Sequence, residues 1–360
     1  MKENIEPFHL AILVHMTQTG VVILSLPEQL ARYFGYNGWI ILFLVSLVAV
    51  LNMGLIALVY RYGGRRSIFD IMEQSISKWL LAPLYIALAA VWSLAGVMVA
   101  KQYVLIFQMM AFPTTHPMLL MFLIELLTFL LLIKGIFSIT RAATVFFWLF
   151  FWMVFLLMFY YKDFNWSRLT PFLLHGEGPY VKGFLNVYNS FIGYELSLLL
   201  LPFVSTRPIF TPMFMGNLLT TISYVSICFF CFGFFSLDYL KKSFYPTLGL
   251  LAYVRFPFVE RLENLLYGIF LFTVIITIVM YTWASQQALE RLVPRVPSKW
   301  LSFIIILVVY GVAWIPKVMS EVQLWLRTIG YIETGVAFGL PLLLLVFLLF
   351  QRGNRVSENA

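Results

Sequence analysis

One apolar stretch, Asn186–Phe203, carries a group of polar residues at its middle, and the types and spacing of these residues point to chemistry. The group comprises Asn189, Ser190, Gly193, Tyr194 and Glu195. The stretch is long enough to cross a bilayer, and a carboxylate at that depth costs on the order of 3 kcal/mol, so it is expected to face a cavity or a partner. The pattern therefore predicts a ligand-binding or coupling site inside the membrane.

Gly193, beside this acid, predicts that the helix unwinds at mid-membrane, where unwound backbone is stable only if it lines protein or water. The break exposes free N–H groups on one side and free carbonyls on the other, which suits a zwitterionic amino acid. Three roles for Glu195 stay open: binding the ammonium of the ligand, carrying a coupling proton, or only fixing the helix break.

The remainder of the chain has the composition of a multi-pass membrane protein. Of its 360 residues, 62% are hydrophobic and 11% are charged, which leaves too little polar surface for a soluble domain. The net charge of +8 would favour nucleic acid in a soluble protein, but here the basic residues fall in loops between apolar segments and set the topology. The lipid bilayer is thus an expected partner, and nucleic acid is not.

Ten apolar segments approach or exceed the roughly 20 residues that a transmembrane helix needs. These spans, numbered one to ten, cover residues 9–31, 37–60, 80–111, 117–134, 143–161, 183–204, 211–237, 262–287, 299–316 and 333–351. The first lacks a small-residue cleavage signature and is expected to remain as a span. An even number places both termini on one side, and the lysines and arginines of the short loops predict that this side is cytoplasmic.

The ten spans divide into two sets of five within a single transmembrane domain, residues 1–360. The two repeats would cover about 8–161 and 183–351. Span one then corresponds to span six, and its central Gly20 is preceded by Thr17, Gln18 and Thr19. Interrupted helices in corresponding positions are the usual sequence sign of a transporter site. We therefore predict that broken spans one and six hold the ligand between them.

Lys101 and Glu125 form a second candidate pair, on spans three and four. Each lies about 14–17 Å from the connecting turn at the 1.5 Å rise of a helix, so an ion pair is possible. Alternatively, Lys101 extends toward the outer surface. A structural role, by pairing or by this extension, is favoured over direct ligand contact.

Span eight carries two further sets of polar residues. The charged residues at its start are Glu260, Arg261 and Glu263, and the residues repeating every four positions within it are Thr273, Thr277 and Tyr281. The charged set is typical of a solvated helix cap, with coupling as the alternative. The second set shares one face and either lines a path or bonds to backbone.

Other chemistry has little support in the sequence. The four histidines are scattered, no metal-binding or nucleophile motif occurs, and neither a metal, a cofactor nor an enzymatic activity is expected. His15, near the break of span one, is a candidate for proton handling, although a packed, hydrogen-bonded role is favoured. Cys228 and Cys231 lie in an apolar run and are interpreted as small buried residues on one helix face.

Several short motifs occur in the same order as in a known family. They are T-G-V-V-I-L-S-L-P from Thr19, S-I-F-D-I from Ser67, R-L-T-P-F-L-L-H-G-E-G-P from Arg168, F-I-G-Y-E from Phe191 and F-V-E-R-L-E from Phe258. With this order over nearly its whole length, the chain resembles the B subunit of spore nutrient-germinant receptors, the endospore germination permeases of the amino acid–polyamine–organocation superfamily. One departure is Val22, where the family usually has a second glycine.

The resemblance implies an all-α, ten-helix, transporter-like fold with two inverted five-helix repeats and broken helices one and six. It also implies the inner membrane of the dormant spore, with an A subunit bearing a soluble domain and a C-subunit lipoprotein as partners. The ligands implied are small nutrients, chiefly amino acids.

Three functions fit these expectations. The first is a nutrient-sensing receptor subunit, in which the ligand shifts the core between two arrangements. The second is an autonomous amino-acid permease working by alternating access, which would use the same residues. The third is a scaffold with a vestigial site, for which Val22 is the only support in the sequence.

Overall fold

The computed structural model describes residues 4–64, 66–172, 176, 178–204, 209–253 and 262–357, without the side chains of 154, 262 and 353–357. Helices dominate these ranges, and the β-structure within them is one isolated parallel bridge between Ile5 and Val204. The all-α class predicted from the sequence is confirmed.

The helices follow the predicted segments in order. The α-helices are α1 Pro7–Gln18, α2 Leu26–Phe34, α3 Ile41–Gly63, α4 Ile68–Glu73, α5 Lys78–Ala111, α6 Pro117–Leu132, α7 Ile136–Phe151, α8 Tyr180–Tyr188, α9 Phe210–Phe234, α10 Leu237–Lys242, α11 Pro246–Tyr253, α12 Leu262–Leu292, α13 Ser298–Val312 and α14 Met319–Ser357. The 3₁₀ segments are Val21–Leu24, Gly35–Ile40, Trp152–Asp163, Trp166–Leu169, Asn189–Phe191 and Tyr194–Leu200.

Within the described residues, six helical stretches are long and apolar enough to cross a membrane, so the protein is a multi-pass membrane protein. They are Leu26–Gly63, Lys78–Ala111, Ile136–Asp163, Phe210–Phe234, Glu263–Leu292 and Met319–Arg352. The predicted spans four and nine correspond to shorter apolar helices, α6 with 16 residues and α13 with 15.

Spans one and six are both broken, as predicted. Span one consists of α1 and α2, which are joined through Thr19, Gly20 and a 3₁₀ turn. Span six consists of α8 and the 3₁₀ segment Tyr194–Leu200, which are separated at Gly193. Each break leaves backbone groups without intrahelical partners, and neighbouring helices must supply them.

The two longest central helices, α5 and α12, pack along each other and form one side of the site. Tyr103 and Tyr267 stack with ring centroids 4.7 Å apart, and each hydroxyl donates to the backbone carbonyl of the other residue, at 3.0 and 3.1 Å. This reciprocal contact fixes the register of α12 against α5, and with it the height of the α12 residues that face the breaks.

One end of the bundle is closed beneath the breaks. The Ile5 N–H donates to the Phe203 carbonyl at 2.9 Å, and the Tyr60 hydroxyl donates to the Val204 carbonyl at 3.2 Å. At the same end, Arg291 on α12 forms a 2.7 Å ion pair with Asp70 on α4. The N-terminal segment, the end of span six and α3 are thus joined on the side where α14 ends.

Candidate functional site

The break of span one is held by side chains from α9. The Tyr224 hydroxyl donates to the Gln18 carbonyl at 2.8 Å and to the Ser190 carbonyl at 3.0 Å, so one hydroxyl joins the broken parts of spans one and six. The Gln18 side chain donates to the Phe191 carbonyl at 2.6 Å and accepts from the Thr220 hydroxyl at 2.9 Å. These bonds fix the two breaks next to each other.

Two backbone carbonyls at the end of α1 lie within hydrogen-bond distance of a side chain on α12. The Thr277 hydroxyl lies 3.2 Å from the Met16 carbonyl and 3.3 Å from the Thr17 carbonyl. Of the predicted stripe on span eight, Thr277 and Tyr281 line the central cavity, whereas Thr273 is fully buried and its hydroxyl has no hydrogen-bond partner among the described residues. Thr277 therefore meets both open interpretations, Tyr281 meets the first, and Thr273 meets neither.

The break of span six depends on Gly193 and Glu195. Gly193 has φ 122°, a conformation that L side chains rarely adopt, and its N–H donates to Glu195 Oε2 at 2.6 Å. The other carboxylate oxygen, Oε1, has no hydrogen-bond partner among the described residues, although Glu195 is only 4% exposed. One oxygen of Glu195 thus accepts from the backbone at the break, and the three predicted roles of Glu195 all remain compatible with this geometry.

Tyrosines surround this acid on the side of α3. The Tyr188 and Tyr194 hydroxyls share a 2.5 Å hydrogen bond, and Asn52 on α3 donates to Tyr194 at 2.8 Å and to the Ala337 carbonyl at 2.9 Å. Asn52 therefore connects span six to α14 through buried polar contacts.

The breaks face a cavity of about 270 Å³. It extends from the breaks toward the face formed by the last turn of α2, the α10–α11 connection and the first turns of α14. Its lining residues are Thr17, Gln18, Gly20, Val21, Val22, Ser25, Glu28, Gln29, Arg32, Tyr33, Ala95, Val99, Gln102, Asn186, Asn189, Ser190, Ile192, Phe244, Thr277, Tyr281, Gln323, Leu326, Arg327, Ile329, Gly330 and Glu333. This face is opposite the closed end of the bundle.

The nine predicted ligand-binding residues divide into two groups. Those that line the cavity are Thr17, Gln18, Gly20, Asn189 and Ser190, and those that lie behind the lining are Thr19, Gly193, Tyr194 and Glu195. Thr19 and His15 are hydrogen-bonded at 3.3 Å, and His15 also contacts the Thr220 hydroxyl at 3.0 Å. His15 is a packed, hydrogen-bonded residue at the end of α1.

Three of the secondary candidates, Lys101, Glu125 and Glu263, do not line this cavity. The ion pair predicted as possible between Lys101 and Glu125 is not formed: the Lys101 ammonium donates to Met118 Sδ at 3.2 Å, and neither carboxylate oxygen of Glu125 has a hydrogen-bond partner among the described residues. Glu260 and Arg261 lie outside the described residues, and Glu263 is half-buried at the start of α12. Cys228 and Cys231 are free and fully buried, as interpreted.

Sequence reasoning missed a second buried acid, Glu333 on α14. It is 6% exposed, lines the cavity, and its Oε1 has no hydrogen-bond partner within the described part of the chain. The predicted span ten began at this residue, which placed Glu333 at the membrane boundary, whereas α14 begins at Met319. The sequence signal that could have revealed it is a helical spacing of three or four positions between lining residues, which are Gln323, Arg327, Gly330 and Glu333.

Asn189 positions α14 against span six. With its amide nitrogen directed at acceptors, Asn189 donates to the Leu185 carbonyl at 3.2 Å and to the Gly330 carbonyl and Thr334 hydroxyl at 3.1 Å. A Cβ at Gly330 would lie 2.4 Å from the nearest atom of the Asn189 side-chain amide. Glycine at this position therefore allows the close approach that brings Glu333 to the cavity.

We expect Gly330→Ala to lower the thermal midpoint of the purified protein, because the added methyl forces α14 away from Asn189, at a cost of about 1–3 kcal/mol. Gly335→Ala on the same helix is the matched control, since a Cβ there meets nothing within 4 Å. Both substitutions raise the helix propensity of α14 by the same amount. The difference between the two thermal midpoints therefore measures the contact between residue 330 and Asn189. Equal midpoints would show that α14 is not held by this contact.

The fold and the paired breaks define a transporter-type membrane protein. Two solved structures share the fold: the nucleobase-cation-symport-1 family transporter Mhp1, in a closed conformation with bromovinylhydantoin bound, and a Na⁺-coupled sialic acid symporter in a substrate-bound outward-open state. The first has a TM-score of 0.65 at 12% identity and covers 90% of this chain and 75% of its own. The second has a TM-score of 0.67 at 13% identity and covers 94% and 78%.

Sequence comparison gives the family. Residues 4–322 match the spore permease family, described as "Spore germination protein", and the chain belongs to this family. Spore germination protein GerQB of Bacillus cereus is 22% identical over 350 residues, covering 95% of both chains. Spore germination protein A2 of Bacillus subtilis (strain 168) is 24% identical over 361 residues, covering 94% of both. The resemblance found in the motifs is confirmed, and the chain is a membrane protein of the germinant-receptor or permease type.

Proposed function

We propose that this chain is the nutrient-sensing transmembrane subunit of a spore germinant receptor. A small nutrient, in the first instance an amino acid, binds in the cavity between the broken spans one and six. The chain acts with the A and C subunits in the inner membrane of the spore, with both termini cytoplasmic. The observation that carries this proposal is the cavity itself, which lies against both helix breaks and within a fold shared with transporters.

The cavity favours a small polar ligand. Its volume of about 270 Å³ lies just below the roughly 300–1,000 Å³ of common small-molecule sites. The predicted residues that line it contribute two side-chain amides and two hydroxyls, and the unwound backbone adds N–H and carbonyl groups. A zwitterion matches such a lining, because each of its charges finds partners of opposite polarity.

Binding can be linked to signalling through the breaks. The side chain of Gln18 lines the cavity and bonds to Phe191, and Tyr224 joins the two breaks. A ligand that contacts both broken spans favours one arrangement of these bonds over another, which is the condition for a conformational response. The A and C subunits would detect that change.

The proposal is tested in spores that carry this chain and its operon neighbours as the only receptor. We expect the wild type to germinate with at least one amino acid, and Gly20→Ala to need about 5- to 150-fold more of it, because a methyl inside a filled site costs about 1–3 kcal/mol. The fold tolerates this methyl, since a Cβ at Gly20 would meet only the Thr277 hydroxyl, at 4.0 Å.

Gly54→Ala on α3 serves as the control for this experiment, because a Cβ there meets nothing within 4 Å and Gly54 does not line the cavity. It should respond as the wild type does. Equal responses of Gly20→Ala and the wild type would place the nutrient elsewhere. If no nutrient triggers germination while the purified chain accumulates an amino acid in liposomes, the chain is an autonomous permease, as the two transporters that share its fold make plausible.

A further inference from the structure

Two buried acids from different spans approach each other behind the breaks. Glu195 on span six and Glu333 on α14 are 4% and 6% exposed, and each has one carboxylate oxygen without a hydrogen-bond partner among the described residues. The Tyr281 hydroxyl of α12 interacts with both acids. We call Glu195, Tyr281 and Glu333 the acid floor of the cavity.

No base compensates the acid floor within the described part of the chain. The titratable side chains that interact with these acids are Tyr281, Tyr188 and Tyr194. Two carboxylates in a low-dielectric site repel each other, and a cation between or beside them removes that repulsion. Tyr281 supplies one O–H donor for two unpartnered oxygens, so among the described residues the acid floor lacks a positive charge and is one hydrogen-bond donor short.

The basic residues that line the cavity are at its other end. Arg32 pairs with Glu28 at 2.5 Å, and Arg327 interacts with the same acid. Arg327 precedes Glu333 by six residues, which is about 9 Å along a helix. The cavity therefore has a mouth with two arginines and one acid, and a floor with two acids.

The two floor acids are not equivalent. Glu333 and Tyr281 line the cavity, whereas Glu195 lies one layer deeper and holds the Gly193 N–H. A group entering the cavity meets Glu333 and the Tyr281 oxygen first. Tyr281 can then donate its proton to the free oxygen of Glu195, which connects the entering group to the break of span six.

We propose that the acid floor binds a primary ammonium group, so that the ligand of this chain carries a protonated amine anchored by Glu333. This inference rests on the proposed function and names its ligand class. A primary ammonium has three donors and no acceptor, which complements the oxygens of Glu333 and Tyr281. A metal ion fits less well, because the described residues contain no group of three His, Cys, Asp or Glu side chains.

An ammonium site at Glu333 distinguishes nutrients that carry an amine from neutral nutrients. Amino acids and other amines place their charged nitrogen on the acid floor, and their carboxylate or tail points toward the breaks and the arginines at the mouth. Neutral sugars and nucleosides leave both acids uncompensated. Glu333 is thus the residue that selects for an amine, and Glu195 transmits its occupancy to Gly193.

The first test uses the purified full chain in detergent with methylammonium chloride as the probe. We expect methylammonium to raise the thermal midpoint by about 2 °C or more at saturation, since a ligand that binds only the folded state stabilises it. Tetramethylammonium chloride at the same concentration should produce no such rise, because it has the same charge but no N–H donor. Equal rises with both cations would overturn the inference.

Variants of the chain test whether methylammonium binds at Glu333. Glu333→Gln should abolish the rise with methylammonium, and Glu321→Gln, on an exposed turn of the same helix, should retain it. If Glu333→Gln does not fold, Tyr281→Phe removes the floor hydroxyl while keeping the ring and should weaken methylammonium binding at least about tenfold, or about 1.4 kcal/mol. An undiminished rise in Glu333→Gln, or in Tyr281→Phe, would contradict the assignment.

A second test separates this inference from the proposed function. Spores with this chain as the sole receptor are exposed to L-alanine, to L-lactate, which lacks the amine, and in turn to other amino acids and to neutral sugars. Responses to amines alone support the inference. Responses to neutral nutrients alone overturn it and leave nutrient sensing intact. No response to any nutrient, with methylammonium still binding through Glu333, supports the acid floor and contradicts the sensing function.

Discussion

Gly193→Ala is expected to abolish the nutrient response and to reduce the folded protein recovered from the membrane. The residue has φ 122° and ψ −26°, a backbone conformation that costs an L side chain about 1–3 kcal/mol. The added Cβ would also lie 3.1 Å from the Thr17 carbonyl, so the two breaks would have to separate. The measurements are the folded fraction by size-exclusion chromatography and germination at matched abundance.

Gly64→Ala is the matched control for this change. Gly64 also has a positive φ, 68°, but a Cβ there meets nothing within 4 Å, and the residue lies at the end of α3 outside the cavity. It should lose stability from backbone strain alone and keep its response to nutrient. Equal losses in the two variants would show that the break of span six has no special role.

The helix breaks were predictable because their signals are local. Glycine among polar residues in an apolar segment has few explanations other than unwound backbone, and both Gly20 and Gly193 met this description. Which face of an unwound segment lines a cavity is not a local property. Glu195 and Tyr194 therefore fell behind the lining although their neighbours Asn189 and Ser190 belong to it.

Contacts between helices were harder to predict, for two physical reasons. Matching depth permitted an ion pair between Lys101 and Glu125, but depth does not fix the rotation of a helix about its axis, and the lysine reaches Met118 instead. Hydropathy also places a span boundary at the first charged residue. That rule began span ten at Glu333, although α14 begins 14 residues earlier, at Met319, as a partly polar helix along the cavity.

The asymmetry of the bundle bears on how a ligand would act. One end is closed by hydrogen bonds from Ile5 and Tyr60 to the end of span six, and the cavity extends toward the opposite face. The break at Gly193 lies between these regions. A change in the hydrogen bond between Gly193 and Glu195 would therefore reach both the cavity and the contacts that close the other end.

Replacing Glu195 in two ways distinguishes its open roles. Glu195→Leu removes the acceptor of the Gly193 N–H, and a buried unpartnered donor costs about 1–3 kcal/mol, so we expect a clear loss of folded protein. Glu195→Gln retains an acceptor oxygen but removes the charge. We expect near-normal abundance for the glutamine variant and a response that needs at least about tenfold more nutrient, equivalent to about 1.4 kcal/mol of lost coupling.

The leucine and glutamine variants separate the roles of Glu195, because a residue that only fixes the break needs a hydrogen-bond acceptor and not a charge. In that case Glu195→Gln would germinate like the wild type, and only Glu195→Leu would be impaired. A residue that compensates a ligand ammonium or carries a coupling proton needs the ionisable carboxyl, so both variants would lose the response while abundance falls only for leucine. The position of Glu195, with one oxygen on Gly193 and the other unpartnered beside Tyr281, favours this second outcome.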